Sequence, residues 1–237
     1  MSNTVFYPFR SRRSNVLARH GLVATSQPLA AQAGLEMLRR GGNAVDAAVA
    51  VAVTLNVVEP MSTGIGGDLF ALVWMAKEGR LRALNASGRS PYAATIERIR
   101  SLGHDHIPIA GMLPVTVPGA ASGWEALIQT CGRLSLPEVM APAIRYAEEG
   151  FPVSEVIAAG WKASERKLAA HPSSAKTYLL HGRAPRMGEI FRQPDLARTL
   201  RVVAEEGAQA FYHSEIAERI VAFSQANGGL LNLQDLR

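Results

Sequence analysis

The segment Gly41 to Phe70, GGNAVDAAVAVAVTLNVVEPMSTGIGGDLF, constrains the fold more than any other part of this chain. Ala44 to Val58 is Ala, Val and Leu broken only by Asp46, Thr54 and Asn56, and a helix with no broad polar face belongs inside a core. The run carries an acid and is shorter than the about 20 apolar residues that a membrane span requires. Asn43 is placed to cap the helix, and Asp46, three positions on, to reach back to the free amides and favour the positive end of the helix dipole. Asp46 therefore reads as a cap in preference to a catalytic acid. Glu59-Pro60 breaks the helix, and Ser62 to Asp68 then carries three glycines in four positions, which permit positive φ and close approach of another backbone. This turn precedes a strand and lacks the GxGxxG spacing, so a nucleotide cradle is not indicated. A tight, close-packed turn is preferred to a binding loop.

The 237 residues are 48% hydrophobic, ample for a continuous core. The formal charge is +5, but only Arg10 to Arg19 forms a basic cluster, aromatics are 6%, and no nucleic-acid motif is present. The charge reads as solvated surface and predicts no nucleic-acid partner. The single cysteine, Cys131, excludes an internal disulfide and a cysteine metal cluster. His104 and His106 are the only close histidine pair and have no third ligand nearby, so neither a metal nor another cofactor is expected. Residues 1–20 read as an irregular basic arm without the apolar core of a signal peptide, which makes a cytoplasmic location and no membrane attachment the expectation. Residues 21–237 show no repeat or linker and are expected to form a single domain.

Along the chain, Gly21 to Thr25 is a strand candidate and Leu29 to Arg40 a helix stopped by Gly41-Gly42. Leu69 to Met75 and Leu81 to Leu84 predict a hairpin buried on both faces. Helices follow around Thr95 to Ser101 and from Ser122 to Cys131, with Pro114 to Gly119 between them as a strand candidate. Ser135-Leu136-Pro137-Glu138 is a capping box opening a helix to Glu149, ended by Gly150. Further helices are expected from Ser154 to Ala170, Leu196 to Glu206 and Ser214 to Gln225, with a short strand between Tyr178 and Arg192. Leu230 to Leu236 opens another element. The pattern is a helix-rich α+β protein.

No constellation of catalytic side chains is visible. GxSxG is absent, and the acid pairs Glu148-Glu149 and Glu205-Glu206 fall at helix ends, where they read as solvated charge. Arg89 leaves the hairpin in a Gly/Ser loop, where a guanidinium can grip a carboxylate bidentately. An exposed turn arginine is the alternative.

Several runs together carry a resemblance: GLVATSQPLA at Gly21, GGNAVDAAVA at Gly41, EPMSTGIGGDLF at Glu59, PVTVPGAASGW at Pro114, and FYHSEIAERI followed by NGGLLNLQDL near the end. In that order they resemble the γ-glutamyltranspeptidase family. The resemblance implies a four-layer αββα N-terminal-nucleophile hydrolase sandwich, of which this chain is the helix-rich portion. It also implies a threonine nucleophile freed by autoprocessing, with its own α-amine as base. That threonine is expected beyond Arg237, in a small subunit that partners this chain, so no catalytic residue is assigned here. The chain reads as a large-subunit region truncated at its C-terminus and inactive alone. Transpeptidase-type members hold the substrate's α-carboxylate with an arginine four residues before a proline. That register falls on Ser87, while Arg89 stands two residues before Pro91. Ser87 and Arg89 are accordingly the substrate-binding candidates, for a γ-glutamyl substrate or for another small acidic amide as in the acylase and amidohydrolase branches. A non-catalytic interaction module is the expectation from a different class.

Overall fold

A computed structural model describes residues 15–237. Most of the expected basic arm lies outside the described residues, and residues 15–20 are irregular and exposed.

Helix α1 (Pro28–Arg39) and helix α2 (Ala44–Val58) form an antiparallel pair joined by the Gly41-Gly42 turn. Asn43 and Asp46 make the expected capping box. Eleven of the fifteen residues of α2 are buried, as its lack of a polar face requires. Its neighbours are α1 on one side and α5 (Leu136–Glu149) on another, and α5 leads on to α8 (Pro194–Glu206). Asp46 does more than cap: its buried carboxylate also accepts the amides of Arg133 and Leu134 at 3.0 and 3.2 Å, fixing the turn before α5.

The turn from Glu59 to Asp68 delivers the chain into β1 (Leu69–Met75), which pairs antiparallel with β2 (Arg80–Ala86), Leu69 opposite Ala86 and Met75 opposite Arg80. Here the expectation of burial on both faces is corrected. Leu69, Ala71 and Val73 face the core, but Phe70, Leu72, Trp74 and Leu81 stand outward, Leu72 at 74% exposure. A continuous apolar run reads as two-sided cover, whereas among the described residues only one packing layer exists, supplied chiefly by α4 (Ala120–Cys131).

Short α3 (Ile96–Ser101) is capped by Thr95. After α5 come β3 (Phe151–Pro152), α6 (Glu155–Ala169) and α7 (Pro172–Tyr178), then β4 (Ile190–Phe191), which pairs with β3. Phe151, Phe191 and Trp161 pack edge to face there, Trp161 lying 4.6 Å from Phe191. The chain closes with α8, α9 (Ala208–His213), α10 (Glu215–Ala226) and α11 (Leu233–Leu236).

Two strand candidates are irregular in the structure. Gly21 to Thr25 has no partner strand among the described residues, and Val23 packs on Gly34 of α1 instead. Pro114 to Gly119 leaves a turn and forms no ladder among the described residues, because the amides of Val117 and Gly119 are taken singly by the carbonyls of Arg89 and Gly67.

Candidate functional site

Three loops far apart in sequence meet at the end of the hairpin. The carbonyl of Gly67 accepts the amides of Gly119 and Ala120 at 3.0 and 2.9 Å, at the start of α4. The carboxylate of Asp68 accepts the amide of Gly88 at 2.9 Å. The carbonyl of Arg89 accepts the amide of Val117 at 3.0 Å. The contacts are so close that a methyl group on Gly88 would overlap the Val117 carbonyl, and one on Gly119 the Ala86 carbonyl. Glycine is needed at both positions for room. The expected close packing of the glycine turn thus resides at Gly67, since Gly64 and Gly66 face open space.

Tyr212, in the FYHSE run, holds this knot from behind. Its buried hydroxyl donates to the Pro118 carbonyl at 2.8 Å and accepts the Ser122 amide at 3.3 Å. A buried phenol is stable only when its polar end is paired in this way.

Beside the knot, α2, the glycine turn and the start of β1 enclose a cleft of about 570 Å³. Ala48, Ala52 and Leu55 line its apolar wall; Asn56, Ser62, Thr63 and Asp68 supply polar groups. Asn56 is buried and bonds the Ala52 carbonyl through Nδ2, while its Oδ1 has no partner among the described residues. Asp68 joins cleft and knot, because the carboxylate on the cleft wall is the one that holds Gly88.

The structure places both substrate-binding candidates in this knot. Ser87 is exposed, its amide bonded to Asn85 Oδ1 at 2.9 Å. Arg89 turns toward the last helix: Nη1 donates to Asp235 Oδ1 at 3.2 Å, and Nη2 to the Asp235 carbonyl at 3.1 Å. Its guanidinium lies 3.6 Å from the centre of the Tyr92 ring. The Asp235 carboxylate is fully buried and also accepts the amides of Tyr92 and Asn232 at 2.8 and 2.9 Å. Asp68, Tyr92, Tyr212 and Asp235 were not legible as site residues. Only the Asn232-x-x-Asp235 spacing, a third capping box after Asn43–Asp46 and Ser135–Glu138, could have marked one of them. Among the described residues no group of three His, Cys, Asp or Glu side chains is placed to hold a metal ion, and no helix is long and apolar enough to cross a membrane.

With this geometry in view, the comparisons with known proteins are specific. The family profile described as Gamma-glutamyltranspeptidase matches residues 30–237. The glutathione hydrolase-like YwrD proenzyme of Bacillus subtilis is 39% identical over 94% of this chain and 42% of its own length. The oxamate amidohydrolase proenzyme of Klebsiella pneumoniae is 38% identical over 94% of this chain and 43% of its own. The crystal structure of a cephalosporin acylase from Bacillus halodurans superposes with a TM-score of 0.90 at 48% identity, covering 97% of this chain and 44% of that one. The chain therefore spans less than half the length of these relatives. Its helices and hairpin form the helix-rich α+β part of the N-terminal-nucleophile hydrolase fold. By the match along residues 30–237, this chain belongs to the γ-glutamyltranspeptidase family.

Proposed function

We propose that this chain forms the large-subunit region of an amide-cleaving enzyme, which transfers an acyl group from a small acidic amide to water or an amino acid. A threonine outside residues 1–237 supplies the nucleophile, its hydroxyl attacking the amide carbon while its free α-amine takes the proton. The residues present contribute one wall of the site. The observation that carries this reading is the knot of Gly67-Asp68, Ser87 to Arg89 and Val117 to Gly119 beside the cleft. Its backbones are interlocked too tightly for a surface loop without a purpose. The partners are then a small subunit, packed on the outward face of the hairpin, and a γ-glutamyl amide such as glutathione at the Ser87 loop.

A second reading, an acylase or amidohydrolase acting on an amide without a γ-glutamyl group, is favoured by one observation: the Arg89 guanidinium is already paired with Asp235. The test expresses the longer protein that continues past Arg237 and compares a chromogenic γ-glutamyl amide, oxamate and a cephalosporin-type amide. Turnover of the first supports γ-glutamyl transfer, and turnover confined to the others supports the second reading. Residues 1–237 alone are expected to turn over none of them, and activity in that preparation would overturn the assignment of the nucleophile.

A further inference from the structure

Arginine meets a carboxylate bidentately through one edge of its planar fork. In Arg89 the end edge, Nη1 with Nη2, is in use. Nη1 and Nη2 both reach Asp235, one at its carboxylate and one at its carbonyl, and Nη1 also meets the Ser90 carbonyl at 3.1 Å. Tyr92 covers one face of the plane. The partner is no chance surface acid: the Asp235 side chain is wholly buried and takes two backbone amides besides. Removing Arg89 would leave that buried charge one donor short, and moving Arg89 to a ligand would cost the same contact.

We propose that Arg89 is a positioning residue. It clamps the Ser87 to Arg89 loop to the Asn232 to Leu236 segment, and the acyl end of the substrate is recognised without a bidentate contact to its guanidinium. The clamp joins positions 146 residues apart, and the same residue's carbonyl holds Val117. Loss of Arg89 would therefore shift the whole knot, not one hydrogen bond. This inference rests on the amidase reading above for its kinetic consequence, but the clamp itself does not.

The experiment uses the longer protein that continues past Arg237, with two p-nitroanilides that differ only in the carboxylate: γ-glutamyl and 4-aminobutyryl. For Arg89→Ala, kcat is expected to fall by about tenfold to a hundredfold on both, as misplacement of a site by about 1 Å does. The ratio of their kcat/KM values should stay within about twofold of wild type. Arg89→Lys should recover little, because an ammonium cannot reach both Asp235 oxygens and stack on Tyr92. Asp235→Ala should reproduce the loss, and the double variant should be little worse than either single one. A KM increase confined to the γ-glutamyl compound, with the ratio collapsing toward one, would overturn the proposal and make Arg89 a carboxylate ligand. If wild type cleaves neither compound, the γ-glutamyl reading fails. The clamp is then judged by thermal unfolding of wild type, Arg89→Ala, Asp235→Ala and the double variant, where coupled losses sustain it and simply additive ones reject it.

Discussion

At Asp46 one side chain does two jobs, and only one of them is local. The carboxylate accepts the Asn43 amide at 2.6 Å, closing the capping box, and it also accepts the amides of Arg133 and Leu134. Capping contributes about 1 kcal/mol, while each buried amide left unpaired costs about 1–3 kcal/mol. Asp46→Ala is therefore expected to lower stability by about 3 kcal/mol, the cap plus two part-buried amides each at the low end of that range, well beyond an ordinary cap deletion, as read by urea unfolding. A loss near 1 kcal/mol would mean that water replaces the second role. The Asn43-x-x-Asp46 spacing announced the cap, but the partners at 133 and 134 lie 87 and 88 residues away, beyond the reach of any periodicity. Arg89 repeats the lesson. Its type and loop marked it as an anion ligand, and the anion it meets in the structure is Asp235 of its own chain. At Gly88 the constraint is steric. A Gly88→Ala variant is expected to lose the loop knot entirely, visible as absent turnover in the longer protein and as a lowered melting temperature.

The elements that sequence rendered well are those whose boundaries are chemical. Helix α2 begins at Asn43-Ala44 and ends before Glu59-Pro60, and α5 runs from Ser135 to Gly150, both as the capping residues require. Two short helices, α7 and α9, escaped because a proline start without a side-chain cap and a stretch between Gly207 and Ser214 give no periodic face to recognise. Beside the β3–β4 pair stands an ion pair that periodicity does not register. Glu189 accepts both Nη groups of Arg183 at 2.8 and 2.7 Å and the Arg186 amide at 2.7 Å, while its own carbonyl receives the Val153 amide after β3. The Arg183 hydrogen bonds, then the Arg186 amide, lower its pKa from 4.5 to about 2. Because the folded value is depressed, the stabilisation is present above pH 4.5 and is lost as pH falls toward 2. Arg183→Ala should therefore bring the Glu189 carboxyl titration up toward 4.5, and the stability difference from wild type should shrink across that interval. Both partners are solvated, so the effect on global stability is small, and carboxyl NMR is the measurement that resolves it. A Glu189 midpoint that stays near 2 in the variant would place the depression in the Arg186 amide instead.

For the whole molecule, the hairpin decides how residues 1–237 behave by themselves. Its inner face packs on α4, but its outer face carries Phe70, Leu72, Trp74 and Leu81 in the open. Both strands are also edges, because among the described residues the sheet has only two of them. An apolar face with unpaired edges invites a second sheet. Covering one large apolar side chain yields about 1.5–3 kcal/mol, and each of two associating chains brings four of them to the contact. Residues 1–237 are therefore expected to self-associate, eluting well above the monomer mass by light scattering. Leu72→Lys with Trp74→Lys should restore a monomer with unchanged far-ultraviolet circular dichroism, since neither side chain touches the core. In the longer protein the same pair should act oppositely: the proposed small subunit covers this face, and two charges buried there would reduce assembly and turnover. A monomeric wild-type preparation of residues 1–237, or a fully active Leu72→Lys, Trp74→Lys enzyme, would show that the outer face of the hairpin is not the surface where the two parts of the sandwich meet.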